Sequence, residues 1–451
     1  MTVLDDISAA RPSASPGEAP YPPPSRAWWV VAIFGVAAVL QYTDRQILSL
    51  LVDPIRGDLG LSDTQISVLQ GAGFAVLYSL IGLPLGRAAD MLPRRNLIVF
   101  GIVLWSVATA ACGLATEYVQ LLLCRICVGI GEAALAPAAV SMIADYFPPT
   151  RRGTAIGVFL TGQGIGAGAA ITIGGFVLEL AQHGAFAALP WLGGMAPWRV
   201  VMILVGLPGI PVALLLLTAS EPARRRAAQA SHVLPLGEVY RGFRKRAATL
   251  APLYIATALL SVGDYGLLAW SPALLSRNYG FSPAEIGAAL GGLAMATSII
   301  GTLGAGVFAD RLAKSGGTTA RLRFVYLSSF TGAIGACVGF APDAISALAV
   351  LTIWMMMSAV TATVAITALL ELLPNEMRGI GTSMVSFCNT ILGLGLGPTL
   401  VALATDHVFG AESAVGLAMT LVVLPAALIA ILLYYRAFRV VAAQSRLSAE
   451  A

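Results

Sequence analysis

GLSDTQISVLQGAGFAVLYSLIGLPLGRAAD (60–90) and GFSPAEIGAALGGLAMATSIIGTLGAGVFAD (280–310) open and close alike, 220 residues apart. GLSDTQI returns as GFSPAEI, and GRAAD returns as GVFAD. Asp44 and Asp264 keep the same offset, while PPTRRG (148–153) meets PNEMRG (374–379) at an offset of 226. Several matches at one offset, followed by one shifted by a short insertion, mark a chain built from two homologous halves.

The residues between the matches are apolar over lengths that cross a bilayer. Runs of this kind fall at roughly 28–50, 64–87, 96–116, 119–145, 153–180, 198–218, 250–275, 284–309, 322–341, 345–372, 380–405 and 414–435. Hydrophobic residues make up 57% of the 451, charged residues 11%, and the mean hydropathy is +0.83. Water cannot solvate a surface so poor in charge, so lipid must cover it. The expected fold is an all-α membrane protein of twelve spans in two six-helix bundles. Six is even, so both bundles enter from the same side and form parallel repeats related by an axis along the membrane normal. The expected organisation is a disordered tail at 1–25, an N-terminal bundle at 26–220, a basic linker at 221–248, a C-terminal bundle at 249–438 and a tail at 439–451.

Charge distribution sets the orientation. Of the 27 Lys and Arg, 22 fall in the termini or in the loops after spans 2, 4, 6, 8 and 10. Both termini are therefore expected in the cytoplasm, in a bacterial inner membrane. Only Arg56, Arg199 and Arg277 fall on the other side or at its edge. The basic balance (net +4) is an orientation signal, not a nucleic-acid surface. The five cysteines all sit in apolar runs, with no ligand set for a metal. No phosphate loop follows a strand, so ATP-driven transport is not expected. Trp28, Trp29 and Trp198 read as interfacial anchors, Glu179 as exposed, and Trp354 as ordinary packing.

Charges inside spans carry the functional information. Each costs about 2.5–3.5 kcal/mol at mid-helix, so it faces the protein interior and finds a partner. Span 1 carries Asp44 and Arg45; span 4 carries Arg125 and Glu132; span 7 carries Asp264. Asp44 lies roughly 24 Å along span 1 and Arg125 roughly 9 Å along span 4 from the opposite side, which brings the two to similar depth. Glu132 is two turns further on and on nearly the same face as Arg125. Asp44 and Glu132 are expected to titrate during transport, with an arginine moving toward or away from them. Arg45 points either inward or out to the interface. Asp264 faces the same cavity from the other half without a matching arginine. Gly162, Gly166 and Gly174 of span 5 allow close helix contact, and Pro398 a kink in span 11.

These residues resemble the major facilitator superfamily. GRAADMLPRR (86–95) is similar to its loop between spans 2 and 3, and GVFADRLAK (306–314) to the copy between spans 8 and 9. Met91 and Pro93 depart from that pattern, standing where a basic residue and Gly are usual. Residues 41–90 and 124–153 further resemble the spinster family of lipid transporters. The resemblance implies a proton-coupled transporter of lysophospholipids or sphingosine-1-phosphate-like lipids, working by alternating access and not an enzyme. It also implies a cytoplasmic gate in which Asp90 caps a span 11 helix and ties into Asp145 and Arg152, with Asp310 and Arg378 at comparable places in the second half. Proton-driven efflux of hydrophobic drugs and transport of a small organic anion are the alternatives. A lipid-like substrate, membrane lipids, no cofactor beyond the coupling proton and a monomer complete the expectation.

Overall fold

The computed structural model describes residues 21–224 and 236–450. Residues 1–20 of the expected tail and 225–235 of the expected linker lie outside them, as does the side chain of Asp310. Among the described residues there is no strand, and twelve helices are long and apolar enough to cross a bilayer. They are spans 1 (Pro24–Leu50), 2 (Asp63–Met91), 3 (Arg94–Cys112), 4 (Tyr118–Tyr146), 5 (Pro149–Gln182), 6 (Pro197–Leu216), 7 (Ala247–Tyr279), 8 (Pro283–Gly301), 9 (Gly316–Phe340), 10 (Ala344–Leu372), 11 (Arg378–Phe409) and 12 (Glu412–Ser445). Two details differ from the sequence reading. The segment before span 7 holds an amphipathic helix, Leu236–Lys245, and the last helix runs on to Glu450 through the segment read as a tail.

The repeated heptapeptides are helix starts. Gly60 (φ 64°) and Gly280 (φ 69°) sit in the left-handed region that ends the preceding helix. Two residues on, Ser62 and Ser282 begin spans 2 and 8 with a capping box. Ser62 Oγ accepts from the Gln65 amide (3.2 Å) while the Ser62 amide donates to Gln65 Oε1 (3.0 Å). The Glu285 amide donates to Ser282 Oγ (3.4 Å) and the Ser282 amide to Glu285 Oε2 (2.8 Å). Gly, Ser and Gln or Glu are therefore fixed by one turn geometry used twice. Both starts run into a widened π turn, Val68–Ala72 and Gly287–Gly291.

Span 5 is the seam between the halves. Gly162 and Gly166 abut span 1, where an added Cβ would meet Gly35 O at 2.6 Å and Val39 O at 2.4 Å. On another face Gly168 and Gly175 abut span 8 of the other half, at Met295 Cγ (2.2 Å) and Pro283 O (2.2 Å). On the opposite seam, an added Cβ at Gly71 of span 2 would lie 2.3 Å from Leu394 O of span 11. A π turn over Asn389–Leu396 breaks the regularity of span 11 just before Pro398.

With twelve spans, the start of span 1 at Pro24 and the end of span 12 at Ser445 share one face, here the terminal face; the other is the distal face. The buried apolar side chains divide accordingly. Toward the distal face one cluster joins both halves, from Ile47 and Leu178 to Leu267 and Ile286. Toward the terminal face there are two clusters, one built of the first half save for Leu394 and one built of the second. The halves thus share a core at the distal end and part toward the terminal one.

Candidate functional site: buried charges between the halves

Span 1 brings Asp44 and Arg45 into the interior, with relative exposures of 2% and 9%. Span 4 brings Arg125 and Glu132, both fully buried. Arg45 turns inward, not out to the interface. Its Nη2 lies 2.7 Å and its Nε 3.2 Å from Glu132 Oε2. The guanidinium is framed by the rings of Phe74 (4.8 Å), Tyr42 (4.9 Å) and Tyr78 (5.0 Å), a cation–π setting that offsets part of its desolvation. Gln41 Nε2 holds the Glu132 carbonyl at 3.0 Å.

Arg125 and Asp44 do meet, as their depths imply, but not side chain to side chain. Arg125 Nη1 donates to the backbone carbonyl of Asp44 (3.2 Å) and its Nε to that of Leu69 (3.4 Å). The ion pair of the cluster is Arg45–Glu132 instead. The reason lies in the backbone: the carbonyls of residues 44 and 69 reach Arg125 first, where spans 1, 2 and 4 converge. Asp44 Oδ1, Arg125 Nη2 and Glu132 Oε1 are buried without a hydrogen-bond partner among the described residues. Unused polar capacity at this depth is costly unless another group engages it.

Span 7 of the second half supplies Asp264, which is half-buried. Trp354 Nε1 (2.8 Å) and Ser358 Oγ, both from span 10, donate to its Oδ1. Trp354 is thus more than the packing residue its sequence context suggested. The following residue, Tyr265, lines a small cavity with Arg45, Gln46 and Gln70. That cavity measures about 20 Å³, room for about one water.

Of the residues expected to form a cytoplasmic gate, the side chain of Asp310 lies outside the described residues, and Asp90, Asp145, Arg152 and Arg378 make local contacts. The Asp90 side chain is exposed and makes no hydrogen bond to a described residue; its carbonyl accepts from Arg224. Asp145 accepts from Arg94, whereas Arg152 donates to the Ala144 carbonyl (2.7 Å). Arg378 caps the end of span 10 at the Leu370 carbonyl (2.9 Å). Each of these contacts stays within its own half.

Polar ties between the halves cluster at the distal face. Arg277 of span 7 reaches Asp63 (2.7 and 2.8 Å) and Asp53 (2.8 Å) in the first half. Arg56 bonds Glu412, whose carboxylate holds the Arg56 guanidinium above its usual pKa. Two further ties mirror one another. Asp406 Oδ2 accepts from the Thr64 amide (2.8 Å) and hydroxyl (2.7 Å), and Glu179 Oε2 accepts from the Ala284 amide (3.2 Å). Each is a carboxylate on the first turn of the other half's span 2 or 8, where helix polarity favours an anion. Glu179 is therefore engaged, not merely exposed. Trp198 is buried and donates to Asp58 (3.0 Å), so it is no interfacial anchor. Part of the signal was present in the sequence: Arg56, Arg199 and Arg277 are the residues that break the charge bias, and each is held by a carboxylate here, Arg56 and Arg277 across the halves and Arg199 within the first.

The Major Facilitator Superfamily profile matches residues 34–398. An MFS-type efflux pump of Mycolicibacterium smegmatis is 29% identical over 418 residues, covering 92% of this chain and 93% of its own length. Human spinster homolog 1 is 26% identical over 263 residues, 56% of this chain and 47% of its own. The crystal structure of a bacterial homolog of the human lysosomal transporter spinster, inward-facing and unoccupied, superposes with a TM-score of 0.78 at 24% identity, covering 93% of this chain and 98% of that one.

Proposed function

Since the chain belongs to the major facilitator superfamily, and so is a multi-pass membrane transporter and not an enzyme, we propose that it moves an amphipathic lipid of the lysophospholipid or sphingosine-1-phosphate-like class by alternating access driven by protons. The observation that carries this reading is the Arg45–Glu132 pair beside Asp44 and Arg125, buried at mid-membrane where the halves face each other. An arginine with donors to spare takes a polar headgroup, and the apolar walls around it take a chain. Asp44 and Glu132 each keep a buried oxygen without a partner, which suits them to load and release a proton as the arginines shift. The terminal face is the cytoplasmic one in this reading. The conformation is then closed to the outside, with Asp90, Asp145, Arg152, Asp310 and Arg378 meeting across the halves only in the opposite state.

The likeness to spinster proteins supports the lipid. The near full-length likeness to an efflux pump supports a second reading, proton-driven export of a hydrophobic drug. Purified protein in proteoliposomes with an imposed pH gradient, offered a panel of lysolipids, sphingolipids and drugs, separates them. The lipid reading expects gradient-dependent movement of a single-chain lipid, lost in D44N with the fold retained. Movement of drugs alone transfers the assignment to efflux, and movement of neither removes both.

A further inference from the structure

Ahead of span 7 the chain forms the helix Leu236–Lys245, and Arg246 alone separates it from Ala247, where the span begins. Its last turn therefore stands at the terminal boundary of the membrane. At about 3.6 residues per turn, Arg241, Arg244 and Lys245 fall within roughly 100° of one another, and Phe243 lies on the other side. Phe243 docks the helix: its ring packs on Tyr254 of span 7, with centroids 6.2 Å apart. Gly242 docks it too, since an added Cβ would meet Met377 Sδ at 2.7 Å, just before span 11. Both contacts are with the second half. Arg241, Arg244, Lys245 and Arg246 are exposed. The one acid of the helix, Glu238, lies 3.9 Å from Arg241, and a pair so exposed neutralises little. Arg244 and Lys245 pair with no described residue.

We propose that this helix is a binding element for anionic phospholipid in the leaflet on the terminal side. The charge rule for orientation accounts for the sign of these residues. It does not account for their collection on one side of a helix whose opposite side is pinned to the protein. Pinning holds the cations at one depth, so several meet the surface of one leaflet at once. Cations clustered beside a span in this way draw acidic lipids from a mixed membrane. Tyr240, exposed at the edge of the basic side, adds an amphipathic ring that suits the headgroup level. Because the helix is fixed to span 7 and to the start of span 11, the lipid is held by the second half alone. The site is independent of the transported substrate and of the chamber between the halves.

Purified full-length protein in detergent is titrated with phosphatidylglycerol and with phosphatidylcholine of the same acyl chains, and bound lipid is counted by native mass spectrometry. The wild type is expected to bind its first glycerol lipid about tenfold tighter than its first choline lipid, a preference that falls as salt rises. R241Q/R244Q/K245Q is expected to narrow the preference to about twofold, and R241K/R244K/K245R to keep it. R323Q/R436Q/R439Q, which removes three exposed arginines of spans 9 and 12, is expected to leave it unchanged. A second measurement needs no variant: amide exchange across 236–246 of the wild type is expected to be slower in phosphatidylglycerol nanodiscs than in phosphatidylcholine ones. Equal binding of both lipids by the wild type overturns the proposal, as does a preference kept by the glutamine variant of the helix. An equal loss in R323Q/R436Q/R439Q, or the same exchange in both kinds of nanodisc, overturns it as well.

Discussion

Asp44 and Asp264 occupy the same place in the two repeats, and the protein surrounds them differently. Around Asp44 the first half assembles two arginines, a second carboxylate and three aromatic rings within a few helical turns. Around Asp264 the second half places an indole and a hydroxyl, with no cation bonded to it among the described residues. The helix starts tell the opposite story, since the glycine, the serine and the capping box are the same in both halves. Duplication preserved the turns that set the fold and let the interior charges diverge. A pair of equivalent acids with different surroundings is suited to two different tasks.

The comparison breaks most visibly at the ion pair. E132A strands Arg45 as a buried cation, and the expected loss is about 3–5 kcal/mol of stability, read as a lowered unfolding midpoint in detergent. The double replacement R45L/E132L recovers most of that loss, because two apolar groups of similar size leave no charge unpaired, while transport stays absent. If R45L/E132L is no more stable than E132A, the pair is not the unit described here.

Next in size is the distal closure. R277A removes the bridge from span 7 to Asp53 and Asp63 and is expected to shift the equilibrium by about 1–3 kcal/mol toward opening at that face. Spin labels at positions 57 and 408, exposed on opposite halves, then report a longer distance. An unchanged distance distribution means these ties do not set the conformation.

D264N keeps an acceptor for Trp354 and Ser358 and loses only their charge assistance, so about 1–2 kcal/mol is expected, well below E132A. A loss as large as that of E132A contradicts the claim that the second half works with neutral partners. The smallest effects fall where the halves agree: S62A and S282A each cost about 1 kcal/mol and match each other. Unequal costs at the two caps mean that their surroundings, not the shared motif, decide their worth.

The repeat, the twelve spans and the inward turn of Asp44, Arg125 and Glu132 were legible in the sequence, whereas that of Arg45 was open. They follow from spacing and from the cost of charge in lipid, which act on each segment alone. The pairing was not legible. Depth along a helix put Asp44 level with Arg125, yet backbone carbonyls reach Arg125 first and Arg45 takes Glu132. Which neighbour wins depends on how three helices converge, and no single segment encodes that. Trp354 was obscured by the apolar run Trp354–Met357, where an indole N–H gives no periodic signal. The distal ties were half legible: their arginines stand out against the charge bias, but Asp406 and Glu179 look like ordinary acids at helix ends.

The most direct measurement of the claim that the two equivalent acids do different work is lysolipid uptake by wild type, D44N and D264N in the same proteoliposomes, with and without an imposed pH gradient. The account predicts that D44N loses the response to the gradient, while D264N keeps that response. A wild type indifferent to the gradient, or two variants with the same defect, contradicts it.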